Sequence, residues 1–248
     1  VAFMPVLADK IAQGNKQAVR DITSSLINVA IIAMLIVGAL IFIFAKPLMY
    51  ALVPDLPPEN IQQAITIMQL VSLNPLFFAV AGIVTALQQT YGRFFFYAVS
   101  SLFYSLAIIA SIYLFKDSLR IVGLGVGALI GGIAQPVVSC FGLFGLGYGY
   151  RPIIKWKSRD FRFVLRQIPA RSLDQGIDQI NSIVEINRAQ ALGKGPVTYY
   201  TFATTLMNVP IMLIGNSIAT AAFPRLIDRL AQGRQDLFRR DFIKILLA

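Results

Sequence analysis

The chain has 248 residues, of which 56% are hydrophobic and 14% are charged. Soluble domains contain about 25% charged residues, so this composition predicts a polytopic α-helical membrane protein. The sequence has no histidine and a single cysteine, Cys140, which excludes histidine-based catalysis, Cys/His metal sites and a disulfide bond within the chain. The net charge of +10 indicates basic loops that face anionic lipid or an anionic substrate rather than nucleic acid.

Apolar runs predict six helices, h1 to h4, h6 and h7, and an amphipathic stretch predicts a further helix, h5. Their predicted bounds are 22–44 for h1, 61–88 for h2, 94–115 for h3, 121–148 for h4, 171–192 for h5, 198–223 for h6 and 242–248 for h7. Residues 1–20 read as the end of an earlier crossing followed by a basic loop, and h7 is cut off by the end of the sequence. We therefore expect the chain to be a fragment of a longer protein.

Glycine recurs at every fourth residue early in h4, at Gly123, Gly127 and Gly131. This small-xxx-small spacing predicts close packing against a neighbouring helix. A nucleotide-binding fingerprint is not indicated, because no strand or βαβ pattern surrounds the glycines.

Helix h5 differs from the other helices because it carries charged and amide residues at regular spacings. The polar residues are Asp174, Asp178, Asn181, Glu185 and Arg188. In a helix they share one face. Because an ionisable group at mid-bilayer costs about 2.5–3.5 kcal/mol, we predict that this face lines a watery cavity of a transporter. The alternatives are an amphipathic helix on the membrane surface and a soluble helix.

The distribution of basic residues predicts the orientation of the chain. If h1 to h6 all cross the membrane, one set of alternate loops carries most of the Lys and Arg. These loops are 1–21, 89–93, 149–171 and 224–248. The positive-inside rule makes them cytoplasmic and favours a crossing by h5. The basic segments 151–171 and 224–240 are predicted to dock on the membrane surface, with attraction of anionic lipid precursors as an additional role.

A repeat supports six crossings. Residues 2–14, AFMPVLADKIAQG, align with residues 222–233, AFPRLIDRLAQG, and basic residues follow both copies. An even number of crossings must separate them, and internal repeats build many transporter folds. We predict an all-α transmembrane helix bundle, part of a two-lobe transporter with six-helix repeats. Residues 1–150 would complete the N-terminal lobe, 151–171 would form a basic cytoplasmic loop, and 172–248 would begin the C-terminal lobe.

Several short motifs together resemble a known family. They are Ala2-Phe3-Met4-Pro5, Gly195-Pro196-Val197-Thr198-Tyr199-Tyr200, Val209-Pro210 and Phe223-Pro224-Arg225-Leu226. Their order and spacing are similar to those of the MviN/MurJ-type lipid II flippases, within the multidrug/oligosaccharidyl-lipid/polysaccharide exporter superfamily. The resemblance implies two six-helix lobes around a central cavity in the bacterial cytoplasmic (inner) membrane. It also implies transport of a peptidoglycan precursor linked to undecaprenyl pyrophosphate from the inner to the outer leaflet.

The resemblance suggests roles for the polar face of h5. Arg188 is expected to attract the pyrophosphate, because arginine binds phosphate oxygens in bidentate fashion, and Asn181 is placed in the same head-group site. An ion pair with Glu185 is the alternative role of Arg188. Asp174, Asp178 and Glu185 are candidates for coupling to Na⁺ or H⁺; solvation near the helix end is the alternative for Asp174.

Two further expectations follow from the resemblance. Alternating access needs hinges, and Pro75, Pro136 and Pro210 each interrupt a predicted span; fixed kinks filled by packing are the alternative. The family often has an arginine on its eighth helix where this chain has Thr205. We hypothesise that Arg188 supplies the missing charge.

Other functions remain open at this point. A flippase for another polysaccharide-lipid unit and a cation-coupled multidrug exporter are the transport alternatives, and a non-transporting scaffold for cell-wall synthesis proteins is the third. An enzyme is not expected, because the sequence shows no paired catalytic carboxylates, nucleophile–base set or metal cluster. We expect no cofactor apart from a coupling ion, and expect membrane lipids, the lipid-linked precursor and proteins of cell-wall synthesis as partners.

Overall fold

The computed structural model describes residues 3–53, 57–191, 195–215 and 235–246. All regular structure in these residues is helical, which confirms the all-α prediction. The helices are α1 (Met4–Ala12), α2 (Lys16–Ile43), α3 (Ala45–Leu52), α4 (Pro58–Val71), α5 (Asn74–Thr90), α6 (Phe95–Phe115), α7 (Val122–Phe141), α8 (Arg159–Ala191), α9 (Pro196–Pro210) and α10 (Gln235–Leu246), with a π-helical turn at Ile211–Gly215.

Five segments of the described chain are long and apolar enough to cross a membrane. They are Lys16–Ile43, Asn60–Thr90, Phe95–Phe115, Val122–Phe141 and Pro196–Ile214. They correspond to the predicted helices h1, h2, h3, h4 and h6. Helix α8, which contains h5, is not among them. Its crossing of the membrane therefore stays a prediction.

Helix α2 begins earlier than predicted, at Lys16. The Asn15 side chain caps it by accepting a hydrogen bond of 2.9 Å from the backbone N–H of Ala18, which satisfies one of the free donors of the first turn. The first turns of α2 contain polar residues, and the apolar run that predicts h1 starts only after them. A prediction from apolar runs therefore misses this start.

Helix α8 also begins earlier than predicted, at Arg159. The Ser158 hydroxyl accepts a hydrogen bond of 3.4 Å from the N–H of Phe161 at its start. The second half of the segment 151–171, which was predicted as a basic loop, is therefore helical. The reason is that Phe161 and Val164 are buried, and helix formation places both on the same side.

Two other predicted bounds need correction. Helix α7 ends at Phe141, and h4 was predicted to continue to 148; turns follow it, with left-handed backbone at Gly145 and Gly147 (φ of 79° and 64°). Helix α10 begins at Gln235, before the predicted start of h7. The second copy of the predicted repeat, 222–233, lies outside the described residues, so the six-helix repeat stays a prediction.

The predicted interruption of h2 is confirmed. Helix α4 ends at Val71 and α5 begins at Asn74, with Pro75 in its first turn, where a missing N–H costs no helical hydrogen bond. Helix α2 comes close to this break, because a Cβ on Gly38 would stand 2.8 Å from the carbonyl oxygen of Ser72.

Helix α7 packs closely against α6 through its glycines. A Cβ on Gly123 would stand 2.6 Å from Cβ of Phe115, and one on Gly131 would stand 2.9 Å from the carbonyl oxygen of Tyr104. Gly127 faces Ser111 in the same way. The predicted role of these glycines in helix packing is confirmed.

A buried apolar cluster lies at one end of the helices. It consists of Leu7, Val19, Ile22, Leu26, Leu87, Phe161 and Val164. These residues come from α1, the N-terminal half of α2, the last turns of α5 and the start of α8. Elsewhere the spans expose large apolar side chains, such as Ile43 on α2 and Leu114 on α6, as expected for surfaces in contact with lipid.

The chain forms two compact units, residues 1–183 and 184–248, which divide within α8. The first contains α1 to α7 and most of α8. The second contains the last turns of α8 together with α9 and α10. The predicted lobe boundaries near 150 and 172 stay predictions.

Candidate functional site

The predicted polar residues of h5 lie on the continuous helix α8. In the first unit Asp178 and Asn181 are exposed, and in the second unit Glu185 is half-buried and Arg188 is exposed. The side chain of Asp174 lies outside the described residues. The helical spacing puts Asp178 and Asn181 on one face within the first unit and Glu185 and Arg188 on one face within the second, and a single polar face along the whole of h5 stays a prediction.

Glu185 and Tyr200 connect α8 with α9 inside the second unit. The Tyr200 hydroxyl donates a hydrogen bond to the Glu185 carboxylate. Arg188 forms no ion pair with any residue that the structure describes, and its roles in head-group binding or in a pair with Glu185 both stay predictions.

The threonines of α9 bond to their own helix. The hydroxyl of Thr205 donates a hydrogen bond of 2.7 Å to the carbonyl oxygen of Thr201. Thr204 bonds in the same way to the carbonyl oxygen of Tyr200 at 2.8 Å. These bonds satisfy the hydroxyl groups within an apolar span. Residue 205 is an uncharged threonine, so it supplies no charge to α9.

The apolar side of α8 is also exposed beyond its first turns. Leu173, Ile177 and Ile180 have exposed fractions of 69%, 67% and 65%. Two cavities of the first unit lie instead at the start of α8, and the predicted polar residues line neither of them. The lining of a central cavity by Asp178 and Asn181 thus stays a prediction.

A second polar cluster, which the sequence analysis did not identify, lies on α2. We name Asp21, Ser24, Ser25 and Asn28 the α2 polar stripe. The stripe contacts the segment between α7 and α8, residues 142–158, which we name the α7–α8 connection. The spacing of 3, 1 and 3 residues puts the stripe on one helical face, and this is the signal that could have revealed it.

Serine hydroxyls of the stripe bind backbone N–H groups of the α7–α8 connection. Ser24 accepts from the N–H of Arg151 at 3.2 Å, and Ser25 accepts from the N–H of Lys155 at 3.1 Å. The hydroxyls of Ser24 and Tyr148 are also hydrogen-bonded, at 3.1 Å. Burial raises the pKa of the Tyr148 hydroxyl, so this group stays protonated and neutral at physiological pH.

Asn28 holds the same connection through its amide. Its Nδ2 donates to the carbonyl oxygens of Arg151 at 3.1 Å and of Ile153 at 2.9 Å. Its Oδ1 accepts a hydrogen bond from the Tyr150 hydroxyl. Arg20, one turn before Ser24, donates to the carbonyl oxygen of Gly147 at 3.2 Å. The α7–α8 connection is therefore bound along most of its length.

Asp21 completes the stripe with a charge. Its carboxylate pairs with Lys155, and its side chain is 10% exposed. Its second oxygen, Oδ1, is buried and has no partner among the described residues. A cavity of about 150 Å³ lies beside it, lined also by Ser25 and Ser158, which is room enough for water molecules to satisfy that oxygen. The stripe therefore fixes the connection to α2.

The three predicted hinge prolines have different surroundings. Pro75 lies at the break between α4 and α5, Pro136 is buried inside the unbroken α7, and Pro210 is the last residue of α9. The π-helical turn at Ile211–Gly215 follows Pro210 directly. π-Helical turns and prolines are common causes of helix bending, and motion at all three places stays a prediction.

The chain matches a family model described as "Lipid II flippase MurJ" over residues 1–247. It is 25% identical to the "Probable lipid II flippase MurJ" of Borreliella burgdorferi, over 99% of this chain and 49% of that protein. It is 22% identical to the "Lipid II flippase MurJ" of Burkholderia cenocepacia, over 91% of this chain and 45% of that protein. The chain spans about half the length of the curated relatives it matches.

Proposed function

The chain belongs to the lipid II flippase MurJ family, and from this membership we propose that it is part of a transporter for lipid II. The transporter would move this lipid-linked peptidoglycan precursor from the inner to the outer leaflet of the bacterial cytoplasmic membrane by alternating access. The observation that carries the proposal is the family match over residues 1–247. Five apolar segments able to cross a membrane support it.

Arg188 is the residue of the described chain that we assign to the pyrophosphate. Its guanidinium is exposed and has no ion-pair partner among the described residues, so phosphate oxygens would not have to displace a carboxylate. An arginine fork binds two such oxygens at once. Asn181, which is exposed in the first unit, is kept as a separate candidate for a hydrogen bond to the head group.

Ion coupling is assigned to the acidic residues of α8. Asp178 is exposed and is the candidate for binding Na⁺ or H⁺, with Asp174 one turn before it. Glu185 accepts a hydrogen bond from Tyr200, so protonation of Glu185 would weaken the contact between α8 and α9 in the second unit. This gives Glu185 a way to link the coupling ion to a change of conformation.

The family match favours lipid II over the alternative cargoes. A multidrug exporter would suit a binding face that is apolar and aromatic throughout, whereas α8 exposes Asp178 and Arg188 as well as apolar residues such as Leu173 and Ile177. A scaffold for cell-wall synthesis proteins would not depend on these charges. Contact with proteins of cell-wall synthesis stays a prediction.

The proposal is tested by rescue of bacteria depleted of their own lipid II flippase. The complete protein should restore growth and restore lipid II in the outer leaflet, measured with a membrane-impermeant reagent that cleaves or labels it. Failure of the wild-type protein to export lipid II, when it is present in the membrane, would reject the function.

Variants of the same protein test the site. Arg188→Ala is expected to reduce export at least tenfold, and Arg188→Lys is expected to retain part of it because the charge remains. Arg239→Ala, which removes an exposed arginine of α10, is the matched control and should export normally. Normal export by Arg188→Ala would reject the role of Arg188 and leave the function itself untouched.

A further inference from the structure

The first turns of α8 have two different sides. Phe161 and Val164 are 0% and 1% exposed and belong to the buried apolar cluster. The opposite side carries three arginines and an exposed phenylalanine. We name this side the arginine surface; it consists of Arg159, Arg162, Phe163 and Arg166. The helical spacing of 3 and 4 residues keeps the three guanidinium groups together.

The arginine surface lines a cavity of about 440 Å³, and its positive charge is not neutralised by the rest of the described chain. Asp160 is the acidic residue that also lines the cavity, and it pairs at 3.4 Å with Lys10 of α1. Among the residues that the structure describes, none forms an ion pair with the three arginines. Arg162 only donates a hydrogen bond of 3.2 Å to the carbonyl oxygen of Lys157.

The contacts of the buried side place this surface at the edge of the membrane. Phe161 and Val164 pack in one cluster with Val19 and Ile22, in the first turns of a candidate span, and with Leu87, near the end of another. The start of α8 therefore lies level with the ends of two spans. A helix held there presents its outer side to the head groups of the lipid bilayer.

Two aromatic side chains of this part of the chain are exposed: Phe163 belongs to the arginine surface, and Trp156 comes three residues before Arg159. Trp156 is 57% exposed and packs edge-to-face on Phe161, with ring centroids 5.7 Å apart, and Phe163 is 53% exposed. Tryptophan is enriched at the boundary between lipid and water, where one ring contacts both. Aromatic rings beside unpaired arginines suit a ligand that has both an acyl chain and a phosphate.

We propose that the arginine surface and Trp156 bind the head group of an anionic phospholipid of the surrounding membrane. The guanidinium groups bind the phosphate oxygens, while Phe163 and Trp156 contact the part of the acyl chains nearest the head group. The site does not depend on the proposed transport function, since it recognises a lipid of the bilayer and not the transported precursor.

Trp156 is the only tryptophan of the chain, and its fluorescence reports on the lipid that contacts it. The purified complete protein is placed in phosphatidylcholine vesicles that contain a small fraction of either brominated phosphatidylglycerol or brominated phosphatidylcholine. The quenching of Trp156 is obtained as the difference in fluorescence quenching between the wild-type protein and the variant Trp156→Phe. Quenching by the brominated phosphatidylglycerol should be several times stronger than by the same fraction of brominated phosphatidylcholine.

The variant Arg159→Gln/Arg162→Gln/Arg166→Gln should abolish this preference. Each basic residue near an anionic surface strengthens binding by about fivefold, so the variant should need more than tenfold more phosphatidylglycerol for the same quenching. The matched control, Lys46→Gln/Lys116→Gln/Arg120→Gln, removes three charges from segments predicted on the other side of the membrane. It should keep the preference.

Three results would overturn the proposal. Equal quenching of the wild-type protein by both lipids would show that no anionic head group is selected. A preference that persists in the triple arginine variant would place the selecting residues elsewhere. Loss of the preference on addition of millimolar inorganic phosphate at constant ionic strength would identify a site for free phosphate instead of a lipid. Circular dichroism of the triple variant should match that of the wild type, since the substituted side chains lie outside the core.

Discussion

Lys155 of the α7–α8 connection forms an ion pair with Asp21 of α2, 134 residues earlier in the chain. The two partners differ in exposure, with side-chain values of 48% for Lys155 and 10% for Asp21. The acid is therefore the more buried member of the pair. The pair belongs to the set of contacts that hold the connection against the first turns of α2.

Lys155→Met should destabilise the protein more than Asp21→Asn does. The methionine leaves a buried carboxylate without a cation, and we expect a loss of about 1–3 kcal/mol of unfolding free energy. Asp21→Asn removes the buried charge itself, so no unpaired carboxylate remains. We therefore expect a smaller loss of unfolding free energy. Thermal unfolding of the purified protein in detergent measures both. Asp9→Asn, at an exposed acid, is the control and should change stability little; a Lys155→Met protein as stable as wild type would contradict the prediction.

Asn28→Ala should release the α7–α8 connection. The substitution removes the donor to the carbonyl oxygens of Arg151 and Ile153. A net loss of about 1 kcal/mol corresponds to roughly fivefold faster opening of the segment. Limited trypsin digestion measures this, because Lys155 and Lys157 are cleavage sites within the connection. Ser101→Ala, which removes a hydroxyl bonded only to its own helix, is the control, and equal cleavage rates of the two variants would count against the assigned contacts.

Gly127→Ala should separate α7 from α6. A Cβ at Gly127 would stand 2.5 Å from Cβ of Ser111, and this atom cannot move without its backbone. We expect a loss of about 1–3 kcal/mol, measured by thermal unfolding. Gly82→Ala is the matched control, since no atom lies within 4 Å of its added Cβ. There the better helix propensity of alanine should leave stability unchanged or raise it slightly, and equal losses for both variants would argue against close packing.

The crossing of α8 can be tested by labelling cysteines from one side of the membrane. In a Cys140→Ala background, Lys157→Cys should react with an impermeant reagent from the cytoplasm and Thr198→Cys from the opposite side. Thr198 lies in the first turn of α9 and is exposed, so a cysteine fits there. Permeabilised membranes, in which both sites should react, provide the control. Labelling of both from the same side would mean that α8 lies at the surface.

The apolar spans could be predicted from the sequence because their signal is local. Helix α6 starts at Phe95 and ends at Phe115, within one residue of the prediction, since a continuous apolar run bounded by turn residues determines it. The glycine contacts of α7 could be predicted for the same reason. Their spacing alone identifies a helix surface on which close approach is possible.

The start of α8 and the α2 polar stripe could not be predicted in this way. The charges after Arg159 suggested a loop, whereas Phe161 and Val164 are buried against residues of α1, α2 and α5 that lie far away in the sequence. The partners of Asn28 are 123 and 125 residues away. Helical spacing of polar residues can identify a face such as the α2 polar stripe. It does not identify the distant segment that packs against this face.

Two amide side chains of α5 fasten this helix to α7. Asn74 donates to the carbonyl oxygen of Ala128 at 3.2 Å, and Gln88 donates to that of Ser139 at 2.6 Å. Their positions on α5 are about 21 Å apart at 1.5 Å per residue. Sliding α7 along α5 would break both bonds together. We therefore expect α5 to move with α7 in any displacement of that kind.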